Sequence, residues 1–263
     1  MRQIALTLGL AATMACGGTT PSVPDIRTET LTYAVGGVEF AGLRAWDEHV
    51  IGRRPGVIVV HEWWGHNAHA QNQARRLAEA GYIAFALDMY GEGKNAAHPE
   101  DAQKFAMEAT ADMAVVVARF DAARKILTDD PRVDPDRIAA IGYCFGGSIV
   151  LGMARAGADL DGVASFHGVL QTPTPAQPGQ VKARLLVLTG EADSMIPTDQ
   201  VEAFRKEMTD AGANFRIVSY PGARHSFTNP DADGHGMDAL AYDAEADRQS
   251  WAELLAFFKE IFG

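Results

Sequence analysis

The stretch RIAAIGYCFGGSIV, Arg137 to Val150, decides how the rest of the chain is read. An apolar run ends at Gly142, and the next residues, Gly142-Tyr143-Cys144-Phe145-Gly146, have the G-x-nucleophile-x-G spacing of a strand that turns sharply into a helix. Glycine is needed on both sides because side chains there would collide, and the central residue is held in a strained conformation. GGSIVLGMARA continues as a helix, so Cys144 would sit at a helix N-terminus, where the dipole favours thiolate over thiol. A lone buried cysteine is otherwise a packing residue. The flanking strand and helix favour a nucleophile.

Working outward, GVIVVH (Gly56 to His61), YIAFALD (Tyr82 to Asp88), RIAAIG (Arg137 to Gly142), GVASFH (Gly162 to His167), RLLVLTG (Arg184 to Gly190) and FRIVSY (Phe215 to Tyr220) are short apolar runs with little polar alternation, as expected of strands buried on both faces. Segments of helical spacing separate them: His69 to Ala80, Pro99 to Leu127, Ser148 to Ala156, Asp199 to Ala211 and Met237 to Phe262. This alternation predicts an α/β fold with a mostly parallel central sheet and helices on both faces. LTYAV and VEFAGLRAW flank Gly36-Gly37 and predict a hairpin of edge strands. QTPTPAQPGQ (Gln171 to Gln180) reads as a surface loop, with the mouth of the site as the alternative.

In such sheets ligands sit at the carboxyl ends of the strands, so HEWWG (61–65), GEADSMIP (190–197) and GARHSF (222–227) are the segments to inspect beside the cysteine. A thiol attacking a carbonyl needs a base, an orienting acid and oxyanion donors. His225 is the candidate base and Asp193 the candidate acid, with Glu191 as its rival. The order Cys144, Asp193, His225 is the nucleophile, acid, histidine order of the α/β-hydrolase fold. The backbone N–H groups of Phe145 and Trp63 are the candidate oxyanion donors, each worth about 3–4 kcal/mol of barrier.

VVHEWWG, GYCFGG, GEADSMIP and GARHSF together resemble the signature blocks of the dienelactone hydrolase family, in order, from about Val38 to Phe262. The resemblance implies an α/β hydrolase with a Cys-Asp-His triad, acting on a small ester or lactone without a cofactor. It further implies that Glu62, in the oxyanion loop, controls Cys144, with a merely structural carboxylate as the alternative. Family enzymes that open dienelactone grip its carboxylate with arginines, one four residues after the histidine and another after "DLY". Here the first position is Asn229, and residues 91–118, after DMY, contain Lys94 and Lys104 but no arginine. Trp63, Trp64, Tyr90, Phe145 and His167 would give an apolar, aromatic site instead. A small anionic lactone is therefore not the expected substrate.

With 34 acidic against 23 basic residues the net charge is −11, which opposes binding to nucleic acid or anionic lipid. Residues 1–16 read as a secretory signal peptide, and TMAC resembles a lipobox that would lipidate Cys16; cleavage to a soluble form is the alternative. The protein is expected to be exported, periplasmic or lipid-anchored to a bacterial membrane, with residues 17–30 a flexible tether and residues 31–263 the hydrolase domain. HEWWGH lacks the helical four-residue His spacing of zinc peptidases, and NPDADGHGMD (Asn229 to Asp238) departs from a Ca²⁺ loop at His235 and Tyr242. No dinucleotide or Walker motif occurs. The reading of another class is a non-catalytic lipoprotein that binds a ligand or partner on a hydrolase scaffold.

Overall fold

The computed structural model describes residues 23–263. The leader expected over residues 1–16, its Cys16 and the first part of the tether lie outside the described residues. Eight strands form one sheet in the order β1-β2-β4-β3-β5-β6-β7-β8. They are β1 (Ile26–Val35), β2 (Val38–Asp47), β3 (Arg54–Val60), β4 (Ile83–Leu87), β5 (Val133–Tyr143), β6 (Gly162–Phe166), β7 (Arg184–Gly190) and β8 (Phe215–Tyr220). Strands β3 to β8 are mutually parallel, and β1 and β2 join antiparallel at one side. Gly36 and Gly37, at φ 59° and 83°, make the predicted turn.

Only β1 of that hairpin is an edge, because β2 also pairs with β4. Strand β1 begins at Ile26, inside the stretch read as tether, since its ladder to β2 runs as far as Ile26 opposite Asp47.

The helices are α1 (Ala68–Glu79), α2 (Pro99–Thr110), α3 (Met113–Thr128), α4 (Phe145–Arg155), α5 (Thr198–Asp210) and α6 (Ala244–Phe262). Alternate residues of each strand feed two separate cores. Val57 and Val59 pack with Leu77 of α1 and Phe258 of α6, whereas Ile58 and Val60 pack with Phe120 of α3, Val150 of α4 and Phe204 of α5.

Two helices depart from the expected spans. The segment from Pro99 is broken because Asp112 takes an extended conformation and accepts the Ala114 N–H, so it caps a new helix. The last helix starts at Ala244, where Asp243 accepts from the Glu245 and Ala246 N–H groups. Residues 237–243 instead run past His225, whose N–H donates to the Ala239 carbonyl and whose carbonyl accepts from Ala241.

At the turn from β5 to α4 the backbone is packed against itself. A methyl on Gly142 would overlap the Gly146 carbonyl, and one on Gly146 would overlap the carbonyl of Val60 in the next strand. Gly146→Ala is expected to destabilise the fold by about 1–3 kcal/mol or more, read as a lower midpoint in denaturant titration, because both clashing partners are backbone.

Candidate active site

The site is assembled at the carboxyl ends of β3, β5, β6 and β7 and from the loop after β8. Cys144 is the N-cap of α4 at φ 51°, ψ −114°, a strained position for a residue with a Cβ. Its side chain makes no cap bond, so the thiol is left at the positive end of the helix. Cys144 is 8% exposed and its N–H is shared between the Phe166 carbonyl at 2.9 Å and His167 Nδ1 at 3.1 Å. Among the described residues the only non-glycine positions at positive φ are Glu92, Cys144, His167 and Ser226, and the last three surround this site.

His225 is buried, and its Nδ1 is 2.8 Å from Asp193 Oδ2. The other oxygen of Asp193 accepts from the N–H groups of Met195 and Ile196, so the carboxylate is fixed by the turn after β7. Glu191, the rival acid, is exposed. His225 Nε2 is buried with no completed hydrogen bond. Burial opposes a charge on this ring, but Cys144, and then Asp193, outweigh it and raise the pKa from 6.5 to about 10.

Two other histidines stay neutral. His61 is held at about 4, mainly by burial; its Nδ1 donates to the Glu62 carbonyl and its Nε2 accepts from the Met89 N–H. His167 lies well below the usual value, again by burial. With Nδ1 accepting from Cys144, its Nε2–H donates to Thr228 Oγ1 at 2.9 Å. His167 was expected to line a substrate pocket. Both its nitrogens are instead spent inside the protein and it is 1% exposed, so it backs the cysteine turn.

The candidate oxyanion loop leads directly into α1, capped by Asn67. Trp63 and Phe145 are half-buried, and among the described residues their N–H groups have no acceptor in the protein. Tyr90 holds the loop by donating to the Trp63 carbonyl at 2.8 Å, with its ring against Phe145 and His61. Trp64 is buried and stacks face to face on His235 at 3.7 Å, so it anchors the loop of residues 229–243.

Glu62 is 2% exposed and does not bond the thiol among the described residues. Its Oε1 accepts from Ser226 Oγ at 2.7 Å and its Oε2 from Asn229 Nδ2 at 2.6 Å. The first arginine past the DMY segment, Arg119, donates to the Met89 carbonyl and lies over the Phe40 ring. The loop from Gln171 runs along α5, with Leu170 and Gln171 donating to Gln200 and Ala176 to Glu207. Among the described residues no three His, Cys, Asp or Glu side chains are spaced to hold a metal ion, and no helix is long and apolar enough to cross a membrane. Ser226, Thr228 and the contacts of Asn229 were not foreseen; Asn229 alone had a signal, as the residue standing where an arginine was expected.

The model of the dienelactone hydrolase family matches residues 40–262. The chain is 31% identical over 211 residues to "Protein usf" of Aquifex pyrophilus, covering 78% of this chain and 88% of that one. Among solved structures it is similar to "m3DLH" (36% identity, TM-score 0.86, 90% of this chain and 99% of that one). It is equally similar in shape to a dienelactone hydrolase-like promiscuous phosphotriesterase from metagenomic libraries (35% identity, TM-score 0.86, again 90% and 99%). This chain, a carboxylic ester hydrolase of α/β-hydrolase fold, belongs to the dienelactone hydrolase family.

Proposed function

We propose that the chain hydrolyses small neutral esters or lactones through Cys144, His225 and Asp193, by way of a thioester. The observation that carries this is the buried His225, bonded to Asp193 on one nitrogen and raised to about 10 chiefly by Cys144 on the other side. In this reading the His225 imidazole takes the thiol proton, so that the attacking pair is a thiolate beside an imidazolium. The thiolate attacks the carbonyl carbon, and the oxyanion that forms is met by the N–H groups of Phe145 and Trp63. Collapse expels the alkoxide, which takes the proton of His225 and leaves the thioester. The now neutral imidazole removes a proton from water, the resulting hydroxide attacks the thioester, and the expelled thiolate regains its imidazolium partner.

The absence of an arginine at position 229 supports a neutral substrate. Export, with a lipid on Cys16 as anchor, remains part of the same proposal, and mass spectrometry of the membrane fraction tests it. A second activity is favoured by the similarity to the promiscuous phosphotriesterase. A neutral aryl phosphotriester would be attacked at phosphorus by the same sulfur, with release of the aryl oxide, which takes the proton of His225; water activated by the neutral imidazole would then displace the sulfur and release the phosphodiester.

Cys144→Ala and His225→Ala are expected to lower hydrolysis of aryl acetates at least about 10³-fold, and Cys144→Ala to abolish phosphotriester turnover alongside it. Wild-type enzyme that turns over no ester, and whose Cys144 alkylates no faster than free cysteine, would return the chain to the reading of a binding lipoprotein.

Asp193→Asn removes a group that raises the proton affinity of His225, so the imidazolium should be lost at lower pH. The alkaline limb of the pH profile for ester hydrolysis, where the imidazolium must protonate the leaving alkoxide, should move toward neutrality, and kcat should fall about 10²–10⁴-fold. An unmoved limb would count against Asp193 as the partner of His225.

A further inference from the structure

Residues 226–229 directly follow His225 and send three hydrogen bonds out of their loop to the other parts of the site. Ser226 and Asn229 donate to the two oxygens of Glu62, in the oxyanion loop. Thr228 accepts from His167, which accepts the N–H of Cys144. Ser226 is held at φ 58°, so the loop is shaped by these ties rather than by its own preference.

Glu62 has the donor pattern of a joint. A buried carboxylate is costly unless hydrogen-bonded, and as an acceptor on both oxygens it suits two neutral donors arriving from the same loop. The donor end of Asn229 is fixed, because its Oδ1 already accepts from the Asp231 N–H at 3.0 Å. Flipping that amide would break the Asp231 bond.

Resting on the triad proposed above, we propose that Glu62 is a positioning residue: it acts as the acceptor that locks the histidine loop to the oxyanion loop, and His167 extends the tie to the nucleophile turn. The register it sets is that of His225 Nε2 relative to Cys144 and to the Trp63 N–H. A misplacement of about 1 Å at such a site costs on the order of 10²-fold in rate.

The donor pattern supplies the test. In Glu62→Gln one oxygen becomes an NH₂ group, so the two donors no longer both find an acceptor: unflipped it faces the NH₂ of Asn229, and flipped it turns the Ser226 hydroxyl from donor to acceptor. In Asn229→Asp a second carboxylate faces Glu62. In the double variant Glu62→Gln/Asn229→Asp the amide of residue 62 donates to residue 229, which still accepts from Asp231, while Ser226 still donates to residue 62. Volumes are nearly unchanged throughout. With an aryl acetate as probe, and rates taken per alkylatable Cys144, each single variant is expected to lose about 10–100-fold in kcat with KM within about threefold of wild type. The double variant is expected to return to within about fivefold of wild type.

A double variant no more active than Glu62→Gln overturns the proposal, because a carboxylate acting on the thiol itself is absent from both. Glu62→Gln with wild-type kcat and only a lower melting temperature also overturns it, by making the role purely structural. Should Glu62→Gln fail to fold, Ser226→Ala carries the test: a loss of about 3–10-fold in kcat is expected, and wild-type kcat overturns the proposal. Wild-type enzyme inactive on every ester would instead remove the triad reading on which this rests.

Discussion

A cysteine at φ 51° is held against its own backbone preference at a cost of about 1–3 kcal/mol, and the surrounding structure is built to keep it there. Gly142 and Gly146 let strand and helix meet without side chains between them. The Cys144 N–H is taken by Phe166 and His167, and its carbonyl accepts from the Ser148 N–H at 3.2 Å. His167 is itself strained at φ 41°, and its own N–H is tied to the Leu188 carbonyl in β7. The strain at Cys144 is thus distributed over three adjacent strands, which a single loop could not do.

The same packing sorts the buried histidines by what faces them. His61 and His167 each accept from a backbone N–H, which requires a free lone pair and so a neutral ring. Among the described residues the His225 ring accepts from no donor; it faces a carboxylate and a sulfur, and both favour a proton. His167 and His225 have ring centroids 5.1 Å apart, and a charge on both would be repulsive. Keeping His167 neutral through the Cys144 amide therefore also leaves room for the charge on His225.

Much of this was legible in the sequence because it depends on local patterns. Two-sided burial reads as apolar runs, the turn at Cys144 as paired glycines, and the order of Cys144, Asp193 and His225 as strand ends. What was not legible depends on partners far away in the chain. Glu62 meets Ser226 and Asn229 across 164 and 167 residues, and His167 meets Thr228 across 61, so neither pairing leaves a periodicity. Periodicity also carried the last helix back to Met237, because Leu240 is apolar in phase with it. That side chain is buried with Trp64, and its neighbours Ala239 and Ala241 are bonded to the backbone of His225.

Position 229 shows why a missing charge is not a missing function. An arginine there could satisfy Glu62 as an ion pair and still present charge to a substrate carboxylate. Asparagine satisfies the same carboxylate with a neutral N–H and gives its carbonyl to Asp231, which ties the loop at two points. The consequence is electrostatic. Position 229 brings no cation to the histidine loop, so a substrate carboxylate would find no charged partner there. Asn229 thus fastens the loop through two neutral hydrogen bonds, where an arginine would have carried a positive charge.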